Sequence, residues 1–341
     1  MSSQIEFLTT QLPDGGTAQE IAPGVLWIRM PLPFQLDHIN LWMIEESDGW
    51  TLVDSGINTN KTKELWQALL PTLANDGHLE RLICTHSHPD HMGLAGWFDQ
   101  EFGVKLTATI KEWKIGEFFS RGREDGDEEF TNYFRRAGCD DTQVQQISDQ
   151  ILGTNHVYFA IPETCTEIVD GDTLEIGGRH WRVITTYGHS IEHACLYCEE
   201  DNILIGGDQI LPKITPTIIL QPHDPDSDPL RDFLESNEKL RPLPEDTIVL
   251  PSHNLPFKGL HARLDEYQSH HGSRLEMTFD ACAQESRAID VAQSLFRSAL
   301  DPHQLFFAVG ETLSHIRYLE TNGQVSAAER DDGVALFKQA A

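Results

Sequence analysis

Apolar positions in the N-terminal half recur with the short period of strands. Residues 24–29 (Gly-Val-Leu-Trp-Ile-Arg) and 39–44 (Ile-Asn-Leu-Trp-Met-Ile) alternate or run apolar between Pro and Asp-Gly punctuation, which predicts an antiparallel pair. Residues 50–54 predict a third strand. Residues 61–74 change to an amphipathic helical period that leads into the apolar run Leu82-Ile83-Cys84, and residues 90–102 again read as helix. Further strands are predicted at 181–186, 203–205 and 247–250. Each ends in a turn bearing one His or Asp: His189, Asp208 and His253.

Between 111 and 153 the texture turns helical. Aromatic residues fall at helical spacing in 112–119 and 130–134, joined by the acidic run 124–129, and 142–152 predicts another helix. The expected organisation is a domain over residues 1–266, with a helical insertion at about 111–153, and a mostly helical module over 267–341. Helices are expected from 264, over 286–299 and over 305–322. Short apolar segments follow at Val325 and at 334–337. The neighbours His270 and His271 project about 100° apart on a helix, which is a poor geometry for chelation.

The chemistry concentrates in Thr85-His86-Ser87-His88-Pro89-Asp90-His91. Imidazole nitrogens and carboxylate oxygens are the ligands that zinc prefers, and iron or manganese to a lesser degree. A strand running into a short His-rich turn aims several of them at one point. His189, Asp208 and His253 on later strand ends supply the partners such a turn needs.

This pattern, His-x-His-x-Asp-His followed by a later His, an Asp and a final His, resembles the metallo-β-lactamase superfamily of hydrolases over roughly residues 20–270. The resemblance implies an α/β fold, a four-layer αββα sandwich. It implies that His86, His88 and His189 hold one metal ion, that Asp90, His91 and His253 hold a second, and that Asp208 bridges them. Asp54, in Val53-Asp54-Ser55-Gly56, matches the family's early Asp, which orients the ligand loop. Ser190-Ile191-Glu192-His193 departs from the Pro-Gly found there in many members. The C-terminal pattern looks like the winged-helix-like module of some members. With few basic residues there, packing or homodimer contacts are expected of it rather than DNA binding.

Two divalent ions, zinc first with iron or manganese as alternatives, would activate a hydroxide and clamp the reacting oxygens. Asp90 and Asp208 are the expected catalytic carboxylates; Asp90 could orient the hydroxide or pass a proton to the leaving group. Phe118, Phe119, Tyr133 and Phe134 are candidates for the wall of the substrate pocket. Lys213 is a candidate anchor for a substrate carboxylate or phosphate.

Composition narrows the substrate. The 341 residues carry 54 acidic and 25 basic side chains, a formal net charge of −29. Such a surface repels polyanions, which weighs against nucleic acid as a partner. Residues 1–20 lack a basic segment followed by an apolar run, and no apolar stretch approaches the ~18 residues of a membrane span, so a cytoplasmic protein is expected. In that compartment the six cysteines should be free thiols. Cys195 and Cys198 lie three apart on a predicted strand and face opposite sides, so they should not share an ion. The expected activity is hydrolysis of a small-molecule ester, thioester or lactone, closest to glyoxalase II-like thioesterases. Phosphodiester hydrolysis is the alternative, and a non-catalytic metal-binding module an outside one.

Overall fold

In the computed structural model, which describes residues 4–121, 128–152, 157–296 and 300–340, the apolar runs become strands. The chain begins with β1 (Glu6–Phe7), β2 (Ala18–Ala22), β3 (Val25–Pro31), β4 (His38–Glu45) and β5 (Trp50–Val53). Strands β3 and β4 pair antiparallel from Val25↔Ile44 to Pro31↔His38. Almost all of β4 is buried, because both of its faces are covered.

Helix α1 (Asn60–Leu69) is capped by the Thr59 side chain, which accepts from the Thr62 N–H. It ends earlier than the expected 74, and a 3₁₀ turn over Leu70–Thr72, with Pro71 in it, follows instead. After β6 (Leu79–Ile83), the helix expected over 90–102 forms as two pieces, α2 (Pro89–Met92) and α3 (Ala95–Phe102). Gly93 separates them. A Cβ there would run into the Pro89 carbonyl oxygen and press on those of Val157 and Gly56. Next come β7 (Leu106–Ala108), α4 (Ile110–Ser120), α5 (Glu128–Arg136), α6 (Asp141–Leu152), β8 (Thr166–Glu167), β9 (Thr173–Ile176), β10 (Arg179–Thr186), β11 (His193–Cys198) and β12 (Ile203–Gly207). The chain closes with α7 (Pro229–Asn237), β13 (Ile248–Pro251), β14 (Phe257–Lys258), α8 (Leu260–Ala281), α9 (Ala288–Leu295), α10 (Pro302–Thr321), β15 (Val325–Glu329) and β16 (Ala335–Gln339).

Among the described residues, two seven-stranded sheets run in the orders β2-β3-β4-β5-β6-β7-β8 and β1-β14-β13-β12-β11-β10-β9. Trp27, Trp42, Ile44, Val53 and Ile83 of one sheet meet Trp181, Val183, Leu196, Ile205 and Leu250 of the other in one apolar cluster. That shared core makes the pair a sandwich. The opposite face of the first sheet, with Ile28, Leu41, Met43 and Leu82, packs against Trp66 of α1 and Phe98 of α3. Helices therefore flank the sheets, as expected. The pairs β5–β6 and β12–β13 are parallel, so neighbouring strands end on the same side and deliver their following loops together.

The chain divides differently from the expected 1–266 and 267–341. The first unit comprises residues 1–122, 155–216 and 238–263, and holds the sandwich. The second comprises 123–154, 217–237 and 264–341. The expected insertion is thus split: α4 stays with the sandwich, while α5 and α6 belong to the second unit. Burial supplies the reason. Phe130 and Phe134 of α5 and Val144 and Ile147 of α6 share a core with Ile289, Val309, Ile316 and Phe337. The second unit also contains the β15–β16 hairpin. The acidic link expected over 124–129 lies largely outside the described residues, as does the end of the helix expected over 286–299. Among the described residues no helix is long and apolar enough to cross a membrane.

Candidate metal centre

Seven ligand side chains converge at the strand ends of the first unit. The loop after β6 carries His86 and His88, and α2, which follows it directly, carries Asp90 and His91; His189 follows β10, Asp208 follows β12 and His253 follows β13. They form two clusters of metal-ligating atoms, His86, His88, His189 and Asp208 in one, and Asp90, His91 and His253 in the other. In the first, His86 Nε2 lies 2.9 Å from His88 Nδ1 and 3.3 Å from His189 Nε2. Asp208 Oδ2 is 3.3 Å from His189 Nε2. In the second, Asp90 Oδ2 is 3.7 Å from His91 Nε2 and 3.5 Å from His253 Nε2. Asp208 Oδ1 stands 3.5 Å from His91 Nε2 and 3.3 Å from His253 Nε2, so its two oxygens face different clusters.

The donor set fits divalent metal ions. His91 Nε2 and Asp208 Oδ1 are buried without a hydrogen-bond partner, a costly state for a protein atom unless an ion takes the lone pair. Burial and the crowding of neighbouring imidazoles push His86 and His88 well below the usual histidine range, which keeps them neutral as ligands must be. Burial opposes a charge on Asp208, yet His253, His91 and His189 around it more than reverse this, and its carboxyl stays well below the usual range. Burial likewise opposes a charge on His91; Asp54, Asp90 and Asp208 outweigh it and raise its pKa well above the ordinary value.

The far sides of three of these rings are also held. His91 Nδ1 donates to Asp54 Oδ2 at 2.8 Å. Thr85 Oγ1 lies 3.0 Å from His86 Nδ1 and donates to Asp54 at 2.9 Å, and Thr85 N donates to Asp54 Oδ1 at 2.7 Å. One buried carboxylate thereby fixes a ring in each cluster, directly for His91 and through Thr85 for His86. Its φ of 65° is left-handed, a conformation held by these contacts. His253 Nδ1 donates to the His38 carbonyl at 2.9 Å, and His38 Nε2 accepts from the Asn254 N–H at 3.1 Å.

Other contributors escaped the sequence reading. His193 is fully buried, its Nε2 accepting from the Asp208 N–H at 3.2 Å. Burial, with His189 next to it, lowers its pKa to about 3. Gly207 must be glycine beside it: its φ is +52°, and a Cβ would collide with the His193 ring. Glu112 is buried against the loops of the first cluster, and the Tyr158 hydroxyl donates to the Ser87 carbonyl at 2.9 Å. None of these is signalled by a motif, because each acts through a backbone group distant in sequence.

The expected pocket residues fare differently. Phe118 is 47% exposed on α4 with Phe119 edge-on against it, their centroids 5.4 Å apart. Lys213 is exposed, its ammonium over the Phe7 ring at 5.3 Å. Phe134 is fully buried in the core of the second unit, which rules it out as a pocket wall. Tyr133, also in the second unit, donates to the Leu220 carbonyl and lines a cavity of about 600 Å³ with Leu313, Arg317 and Phe337. Cys195 and Cys198 are buried free thiols. Cys195 Sγ sits 3.6 Å from the Gly206 carbonyl, while Cys198 joins the core between the sheets.

Residues 35–253 match the model of the metallo-beta-lactamase superfamily. The chain belongs to this superfamily. Residues 275–340 match the metallo-beta-lactamase-like C-terminal domain. A beta-lactamase domain protein from Burkholderia ambifaria is similar over 98% of both chains, with 35% identity and a TM-score of 0.91. A metallo-beta-lactamase family protein from Thermus thermophilus aligns over 94% of this chain and 100% of its own, with 27% identity and a TM-score of 0.80. Among curated relatives, "Probable metallo-hydrolase YqjP" of Bacillus subtilis is 25% identical over 89% of this chain and 94% of its own. The hydroxyacylglutathione hydrolase of Rhizobium etli is 25% identical over 49% of this chain and 59% of its own. Family and ligand set together make this metallo-beta-lactamase superfamily member a metal-dependent hydrolase.

Proposed function

We propose that this metallo-hydrolase holds two divalent ions, zinc foremost, and cleaves a small-molecule ester, thioester or lactone. The carrying observation is the Asp208 carboxylate, with one oxygen at 3.3 Å from His189 and the other at 3.3 Å from His253. Three side chains of the first cluster and three of the second lie on either side of it. Two ions held there would supply Lewis acidity toward a carbonyl oxygen and an activated water near neutral pH.

The protein's own groups do the rest. Asp54 fixes the ring of His91 and, through Thr85, that of His86. His193 holds the backbone of Asp208. Asp90 has a 17% exposed side chain against 9% for Asp208, so it is the more open carboxylate and the better placed to pass a proton to the leaving group. The net charge of −29 supports a small acyl substrate over a polyanion. The relative named hydroxyacylglutathione hydrolase supports acyl-group hydrolysis in the same direction.

The test is turnover of metal-loaded protein on a panel of thioesters, esters and lactones beside a panel of phosphodiesters, with Asp90→Ala as blank. Turnover confined to the acyl panel is expected. Turnover confined to phosphodiesters would overturn the substrate class.

A further inference from the structure

The geometry points to Glu112 as the positioning residue of the first metal cluster: one buried carboxylate clamps together the two loops that carry His86, His88 and His189. Glu112 stands in the first turn of α4 and is 0% exposed. Its Oε2 accepts from the Ser87 N–H at 2.8 Å, and Ser87 lies between His86 and His88. Its Oε1 accepts from the Glu192 N–H at 2.7 Å, three residues after His189. Among the described residues these two peptide groups are its hydrogen-bond partners. A buried carboxylate takes short, charge-assisted bonds of this kind, stronger than neutral ones.

Other groups grip the same two points. Ser87 is held on its other side, its carbonyl accepting from Tyr158 Oη at 2.9 Å. The Glu192 carbonyl accepts from Thr109 Oγ1 at 2.9 Å, and the Glu192 carboxylate pairs with Lys111 Nζ at 3.0 Å. Thr109, Lys111 and Glu112 at the start of α4 thus hold Glu192 by its carbonyl, side chain and N–H. Of these three, Glu112 is the one that reaches across to Ser87 as well. Glutamine at this position keeps the shape but has one acceptor, so its amide N–H₂ must face one of the two N–H groups. One loop is then released.

The inference rests on the metal-binding reading of the first cluster and not on the substrate class. The experiment compares wild type, Glu112→Gln and, as a reference that deletes a ligand, His86→Ala. Zinc affinity is measured by competition with a chromophoric chelator, the cobalt(II) absorption spectrum of each protein is recorded, and each metal-free protein is melted. Glu112→Gln should bind the first ion about 10- to 100-fold more weakly, in the range seen when a partner of a ligand is lost. It should also show an altered cobalt spectrum, and the facing donors should lower the metal-free melting temperature by no more than about 10 °C. Wild-type affinity and spectrum in Glu112→Gln, with His86→Ala impaired, would overturn the clamp. So would a metal-free melting loss in Glu112→Gln with unchanged affinity, which would mark a purely structural role. Unimpaired His86→Ala would overturn the metal-site reading itself.

Discussion

Asp54→Asn isolates the orientation of a ligand from the ligand itself. The substitution keeps the shape, and Asn tolerates the left-handed φ of 65° better than other replacements except Gly, whereas Ala would add about 1–2 kcal/mol of backbone cost. Asp54 accepts from Thr85 N at 2.7 Å on one oxygen and from His91 Nδ1 at 2.8 Å on the other. An amide satisfies one of these. If its oxygen faces Thr85, its N–H₂ donates to His91 Nδ1 and forces the ring proton onto Nε2, the atom 3.5 Å from Asp208 that must be bare to bind an ion. If its oxygen faces His91, two buried donors meet at Thr85, at about 1–3 kcal/mol. In the first case the second cluster weakens, and in the second the first cluster does, through Thr85 and His86, by about 10- to 100-fold in metal affinity, or about 1.4–2.8 kcal/mol. Chelator competition followed by elemental analysis reads the loss directly. Asp54→Asn protein with wild-type metal content and affinity would refute the orientation argument.

Other consequences are equally open to measurement. Phe134→Ala should cost about 3–5 kcal/mol in denaturant unfolding of the second unit while leaving metal content unchanged, because Phe134 is core and not pocket. Gly207→Ala should lower stability by at least about 1–2 kcal/mol from its φ alone and reduce metal affinity, since the new methyl displaces His193 from Asp208. Burial, with His315 3.3 Å away, holds His271 at about 3, and burial holds His315 at about 4, against 6.5 in an unfolded chain. Below about pH 6.5 the unfolded chain therefore takes up protons that the folded one refuses, and this part of the stability is lost as pH falls toward 4. Calorimetric melts should show His271→Gln gaining on wild type across that range; a pH-independent difference would contradict the sign.

The candidate ligands were legible because six residues hold four of them and the other three each follow a strand. The sandwich was legible for a related reason: Trp27, Trp42 and Trp181 sit in strand-length runs that alternate or stay apolar. What the sequence hides is which surface a buried stripe meets. Phe130 and Phe134 announce that a face of α5 is covered, yet their partners Ile316 and Phe337 lie some 180 or more residues further on. The supporting groups are hidden for a different reason. Glu112, Tyr158 and His193 bond to peptide N–H and carbonyl groups, which every residue possesses, so no residue type marks their targets.

In the proposed mechanism the Asp208 carboxylate joins two metal ions into a single hydrolytic centre. The most direct measurement is elemental analysis of wild type and Asp208→Ala, paired with turnover on the acyl substrate of highest activity. Two ions per wild-type chain are predicted, with the second ion and nearly all turnover lost in Asp208→Ala while its far-ultraviolet circular dichroism stays native. Full turnover in the Asp208→Ala protein would contradict the two-ion mechanism.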